Sequence, residues 1–541
     1  MTNSVGISPA QAPRGATVRR RTAVLLCALS CVAASVADAQ LNAGPARRSD
    51  EGRGPFPRLI IQNAMVIDGT GAPARGPMNI VIEGNRIVSV GGGGGGGGRG
   101  GAAPQTETID ARGHYVMPGF VDLHVHAGGA PKNIESEYAY KLWMGHGVTT
   151  VRGVPIGPWG WSISEQQRSA KNEIVAPRIF NYQRPGTGWS NGPVNTPEQA
   201  RAWVRWAAQQ GLDGLKLDAH DPPVMAALID EAKKAGLGTT AHLSQMGVGR
   251  MNAIEAARLG LGTVTHFYGL FESMLKDYSI QNWPTDQNYN DEYMRFSQVA
   301  RLNDQIHPRG SERWNALLQE FKTLGTTMDP TMTIYAAGRD VMQARNADWH
   351  ARYTLPSMHD FFQPSRANHG SYWFDWTTAD EVAWKRFYIT WMQFLNDYKN
   401  IGGRVTTGSD AGFIYKLYGF GYIEELELLQ EAGFHPLEVI RAATLHGAET
   451  LHAPTGKPIE FGVIKPGMLA DLVILDQNPL QNLKVLYGTG AVRLNETTGR
   501  AERVGGVKYT VKDGIVYDAK QLLADVAKMV EAQRAERAAG R

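Results

Sequence analysis

The sequence predicts an α/β protein: a (β/α)8 barrel of the TIM type, carrying a composite β-sandwich domain assembled from its N- and C-terminal segments. Three observations predict it. Between residues 119 and 455, eight strand-like segments alternate with stretches of helical periodicity. Short β-patterned runs flank that region on both sides. Several of the strand-like segments end on side chains that bind metals or move protons, and barrels keep their reactive groups at the C-terminal ends of strands.

Residues 1–39 read as a secretory signal. Arg14, Arg19, Arg20 and Arg21 precede an apolar run at 23–36, and Ala37-Asp38-Ala39 follows as a small-residue cleavage site. The expected location is therefore periplasmic or secreted, with cleavage near Ala39. Arg20-Arg21 leaves a twin-arginine route open, and Cys31 leaves a lipid anchor open, although Ala28-Leu29-Ser30-Cys31 is a poor match for one. The apolar run is too short and too rich in Ala and Ser for a stable membrane span.

Removing residues 1–39 takes away four of the 55 basic residues and one of the 52 acidic ones, which balances the charge. A balanced chain gives no reason to expect a nucleic acid or an anionic membrane as partner. The expected partners are a small-molecule substrate and further copies of the chain in a homo-oligomer. Both cysteines, Cys27 and Cys31, lie in the signal, so any metal must be held by His, carboxylate or modified Lys.

Residues 40–56 read as a polar lead-in. From Arg58 the runs LIIQNAMVIDG and MNIVIEGNRIVSV are strand-like, with Gly84-Asn85 marking a hairpin. The glycine run at 91–98 lacks a following Lys-Ser/Thr and reads as a loop, not as a phosphate cradle. Residues 57–118 and 456–517 pair as the composite β domain, and 119–455 form the barrel. An aromatic helical insertion at about 270–400 is expected over the barrel mouth, most of its rings serving its own core. A last helix, Ala519–Ala538, shows Leu522, Val526, Met529 and Val530 on one face.

The chemistry begins in MPGFVDLHVHAG at 117–128. Strand alternation puts Asp122, His124 and His126 on one face, so one rigid element can offer two imidazole nitrogens to a single ion. Lys216 alternates with Leu215 and Leu217 in DGLKLD, and its ammonium faces the barrel interior if the leucines face the helices. That burial is costly unless the group is paired, with Asp213 or Asp218, or chemically altered. His242 in GTTAHL and His266 in GTVTHF each sit just before a loop. Asp410 ends the eighth strand in TTGSDAG on the face of Gly408, where a plain alternative is to cap the next loop or helix.

The set His124-x-His126, Lys216, His242, His266 and Asp410, with GVTTVR after the first helix and KPGMLADLVILD near the end, resembles the metal-dependent amidohydrolase superfamily. It is most similar to the imidazolonepropionase-like and Xaa-Pro dipeptidase branch with a carboxylated lysine, over about residues 57–517. The resemblance implies that His124 and His126 hold one ion with Asp410, that His242 and His266 hold a second, and that carboxylated Lys216 bridges both. It departs at Gly153, where the branch often has Asp, and in the aromatic insertion.

Two divalent ions, zinc by ligand type with manganese, cobalt or iron also fitting, would share a water and lower its pKa from about 15.7 to about 7. Asp410 would act as general base and then acid, and Tyr268 or His220 would hydrogen-bond the developing oxyanion. The expected activity is hydrolysis of an amide bond, in a dipeptide or N-acyl amino acid, by the metal-bridging hydroxide. A lactonase or esterase on the same site, and a mononuclear deaminase with Lys216 structural, are the alternatives.

Overall fold

In the computed structural model the protein is described from residue 41 to residue 540, apart from 93–104, 219, 278 and 279. The expected signal at 1–39 and the glycines at 93–98 therefore lie outside the described residues. The barrel-forming strands are β1 (Phe120–Val125), β2 (Val148–Gly153), β3 (Arg178–Gln183), β4 (Gly214–Leu217), β5 (Gly238–Ala241), β6 (Thr263–Thr265), β7 (Thr327–Asp329) and β8 (Arg404–Val405). They pair in sequence order, parallel throughout, as one curled eight-stranded sheet. Two backbone hydrogen bonds join its first and last strands: Leu123 N donates to Thr407 O at 2.9 Å and Asp410 N to His124 O at 2.8 Å.

The architecture is TIM-barrel-like because the helices between strands carry their apolar stripes inward. The helix Pro197–Gln209 is set by a capping box, with Thr196 accepting from Gln199 N, and it buries Ala200, Trp203, Val204 and Ala207. The helix Pro222–Lys234 buries Val224, Met225, Ala227 and Leu228 in the same way.

The region 270–400 is two excursions and not one, because β7 returns to the sheet between them. The helices Glu292–Val299 and Glu312–Thr323 precede β7. The helices Met332–Arg339 and Pro356–Phe362 and the long helix Thr378–Asn400 follow it. Of its rings, Trp384, Phe387 and Trp391 are fully buried, whereas Phe361, Trp373 and Trp376 pack on that core from a half-exposed rim.

Outside the barrel, five strands from residues 58–118 and three from residues 472–518 share a single eight-stranded sheet. Tyr115–Pro118 joins the two groups, pairing antiparallel with Leu472–Leu475. The hairpin at Gly84-Asn85 is present, with Gly84 at φ 58° turning between Arg75–Glu83 and Arg86–Gly91. One apolar core draws on both segments, from Leu59, Ile61 and Ile80 to Leu472, Ile474 and Val511. The last helix docks on its own chain: Leu522, Val526 and Val530 are buried, and Asp525 accepts from Lys141 Nζ at 3.0 Å.

Candidate metal centre

The candidate ligands lie at or just past the C-terminal ends of strands, except that Asp410, expected to end the eighth strand, stands five residues beyond it because β8 stops at Val405. The ladder carries each into place: His242 N donates to Leu217 O at 2.9 Å, His266 N to Asp329 O at 3.1 Å, and Asp410 N to His124 O at 2.8 Å. His266 (φ 65°) and Asp410 (φ 47°) sit in the left-handed region, a strain of roughly 1–3 kcal/mol each that clusters at functional sites. Gly408 is required here, since a Cβ on it would lie 2.7 Å from Asp329 Oδ1 and 2.8 Å from His124 Cβ.

Asp410 is the centre of the cluster. Its Oδ1 lies 3.4 Å from His126 Nε2 and 3.8 Å from His124 Nε2, and its Oδ2 lies 3.8 Å from His266 Nε2. The ligating atoms of His124, His126 and Asp410 fall within 4.8 Å of one another, a spacing one ion can bridge. Lys216 Nζ stands 3.4 Å from His124 Nε2, on a side chain only 1 % exposed. Among the described residues no carboxylate is in ion-pair range of that ammonium: Asp213 instead accepts from Gln166 and Asn181, and Asp218 from Arg184. His242 joins through His266, their ring centroids 4.8 Å apart.

The tautomers are set by the partners. His126 Nδ1 meets Pro155 O at 2.8 Å, and a carbonyl only accepts, so the proton is on Nδ1 and the Nε2 lone pair faces Asp410. Thr331 Oγ1 donates to Pro330 O at 2.6 Å and therefore accepts from His266 Nδ1, again leaving Nε2 free. Burial, with Lys216 adding to it, holds His124, His126 and His242 well below the ordinary imidazole value. Burial and then His242 do the same to His266. Neutral imidazole is the form a metal needs. Burial raises Asp410 above the usual carboxylate range against the pull of Lys216, and lowers Lys216 below the usual lysine range. Four imidazoles, a carboxylate and a lysine amine form a nitrogen- and oxygen-donor set that fits borderline divalent cations.

Tyr268 is brought to the cluster, its ring 4.5 Å from that of His242 and its hydroxyl 2.8 Å from Tyr335 Oη. His220 lies just past β4, half-buried, with Nε2 buried and without a hydrogen-bond partner. Two residues escaped sequence reasoning, and a third, Asp122, was placed on the face of His124 and His126 without its role. Arg152 sits in TTVRG and Asp329 in TTMDP, both inward-pointing mid-barrel charges whose signal was their place on strands otherwise apolar or small. Asp122 locks the first strand to the last, accepting from Ser409 N at 2.9 Å and Ser409 Oγ at 2.6 Å. Burial pushes its carboxyl up to about 7.

Residues 390–516 match the amidohydrolase family. Over 194 residues, 33% of this chain, the sequence is 28% identical to an N-acyl-D-aspartate deacylase of Alcaligenes xylosoxydans xylosoxydans, of whose length the match spans 35%. A solved Xaa-Pro dipeptidase with methionine in its active site superposes with a TM-score of 0.54 at 20% identity, covering 85% of this chain and 100% of that one. A bottromycin amidohydrolase superposes with a TM-score of 0.58 at 19% identity, covering 89% and 91%. The fold is thus that of amidohydrolase barrels. In sequence, the likeness to the amidohydrolase family lies in residues 390–516, which include Asp410 and the strand Leu472–Leu475.

Proposed function

We propose that the protein is an exported, binuclear metal-dependent hydrolase that cleaves an amide C–N bond in a small molecule of the N-acyl amino acid or dipeptide type. The observation that carries this reading is Lys216: a buried ammonium without a carboxylate partner, beside His124 and among neutral imidazoles grouped on Asp410. Leaving such a charge uncompensated is expensive. Once the ammonium has given up one proton, addition of the neutral Nζ to carbon dioxide forms an N–C bond as one C=O π bond opens, releases a second proton and leaves a carbamate with two ligand oxygens. The names of two similar proteins, an N-acyl-D-aspartate deacylase and an Xaa-Pro dipeptidase, support an amide as the scissile bond.

His124, His126 and Asp410 would hold one divalent ion, His242 and His266 the other, and carboxylated Lys216 both. When bound, the ions supply water activated at neutral pH and polarise the substrate carbonyl. Asp410 takes the proton of the attacking water on its carboxylate and returns it to the leaving amine, a role its burial-raised affinity for protons suits. Tyr268 donates its phenolic proton toward the developing negative charge, with His220 the second candidate. Residues 57–118 and 456–517 we read as one composite β domain buttressing the barrel, supported by their shared sheet.

The test is turnover of N-acyl amino acids, dipeptides, aryl amides and lactones by the purified, metal-loaded chain, with Asp410→Asn beside it. Amide cleavage abolished in Asp410→Asn is expected. Full activity in that variant overturns the catalytic assignment, and turnover of lactones alone moves the reading to a lactonase.

A further inference from the structure

Around the mouth of the barrel stand several basic side chains whose charge reaches the histidine cluster, and apart from Lys216 within the cluster all but one are matched. Arg184 pairs with Asp218 at 3.0 Å, Arg295 with Glu292 at 3.0 Å, and His369 with Glu292 as well. Lys132 is the exception. It is 8 % exposed, and no carboxylate lies in ion-pair range of its ammonium among the described residues. Its Nζ instead rests 3.7 Å over the Phe413 ring and 5.5 Å from that of Phe361. Phe413 in turn meets His126 edge-on, with ring centroids 6.5 Å apart. The ammonium therefore stands one aromatic ring away from the first metal ligands, with three unused hydrogen-bond donors.

The loop that carries it is held in place. Lys132 N donates to Gly129 O at 3.0 Å, and Ser357 Oγ donates to Lys132 O. The next residue, Asn133, bonds Ala127 O at 2.9 Å and accepts from Tyr418 Oη at 3.1 Å. Gly128, at φ 109°, allows that side chain to pass, since a Cβ there would overlap Asn133 at 2.1 Å. Burial lowers Lys132 to about 8 while Asp410 opposes the fall, so the group stays cationic at neutral pH. The two rings recover part of the desolvation cost by cation–π attraction and leave the charge unneutralised. A pre-set, desolvated and unpaired cation is a receiver for an anion.

We propose that Lys132 binds a carboxylate carried by the amine half of the substrate, which makes the substrate class an anionic N-acyl amino acid or a dipeptide with a free C-terminus. In such a molecule only the nitrogen and the α-carbon separate the scissile carbonyl from the carboxylate, so its anchor must stand close to the metal cage, and Lys132 stands one aromatic ring from His126. This rests on the amide-hydrolase reading above and adds to it the residue that selects the substrate.

The test uses the metal-loaded full chain and an uncleavable pair, N-methylsulfonyl-phenylalanine and its neutral carboxamide, in both enantiomers, with binding measured by calorimetry. Wild type is expected to prefer the acid. Lys132→Met should weaken the acid by about 10-fold to 100-fold, the range for losing a charge-assisted hydrogen bond, and leave the amide unchanged. Lys132→Arg should restore most of the loss. Equal weakening of both ligands, no effect on either, or no acid preference in wild type overturns the proposal. The same variants are then assayed on N-acetyl-phenylalanine and its carboxamide, where Lys132→Met should raise KM for the acid with little change in kcat. Lys132-dependent binding of the acid without cleavage of either compound would sink the amidase reading and leave the anion site standing.

Discussion

Arg152 Nη2 donates to Asp329 Oδ2 at 2.9 Å across the inside of the barrel, between two strands that are not neighbours. The guanidinium also bonds Leu123 O through Nε at 2.7 Å, and the same Asp329 oxygen lies 3.8 Å from His124 Nδ1. The pair thus braces the strand that presents His124 from beneath. Both side chains are fully buried, and burial raises the Asp329 carboxyl while Arg152 opposes it. Removing one partner leaves an uncompensated charge, so Asp329→Asn should cost about 3–5 kcal/mol in chemical denaturation at unchanged slope. The double variant Arg152→Met/Asp329→Leu should cost less than the sum of the single variants. Additive losses would show that the two do not act together.

Lys216→Ala separates the binuclear reading from a mononuclear deaminase. Wild type should bind about two divalent ions per chain by elemental analysis, and the variant about one or fewer, with activity reduced by several orders of magnitude. One ion in wild type, with activity kept in the variant, would favour deamination.

Thr331 sets the tautomer of His266, and it does so through its hydroxyl alone. Thr331→Ala should weaken metal binding by about 10-fold to 100-fold in chelator competition, the usual effect of removing a ligand's outer partner. Thr331→Ser, which keeps the oxygen, should bind like wild type. If both variants bind alike, the hydroxyl has no such role.

His146, remote from the cage, carries a pH dependence. It is fully buried, donates from Nδ1 to Leu142 O at 2.8 Å, and leaves Nε2 without a partner. Burial pushes it down to about 4 from the usual 6.5. The unfolded chain therefore takes up a proton first as pH falls. Stability is lost between about pH 6.5 and pH 4 at up to ~1.4 kcal/mol per unit, and the loss stops below that. His146→Gln should flatten this part of a stability–pH curve relative to wild type, and parallel curves would refute the assignment.

The periodicities of the chain were enough to read the first six strands of the barrel within a residue or two, because alternation and helical spacing are local properties of a sequence, whereas GTTMDPTM overran β7 by three residues and RVTTGSD overran β8 by five. The segment GTTMDPTM announced β7, yet the sequence showed one insertion where the structure has two, since nothing local reveals that a two- or three-residue strand returns to the sheet. The candidate ligands were visible as polar residues at strand ends. Arg152 and Asp329 were not, and Asp122 was placed on its strand face without its role, because their meaning lies in partners up to 287 residues away.

What the amino-acid order decided by itself was the alternation of elements, the absence of cysteine ligands after residue 39, and the roster of imidazoles, lysine and carboxylate. What only the tertiary structure decided was which of these meet. Curling a parallel sheet brings the ends of its first, fourth, fifth, sixth and eighth strands within a few ångströms. It also leaves Lys216 and Lys132 desolvated without carboxylate partners, because burial and charge balance are sums over neighbours that sequence distance does not encode.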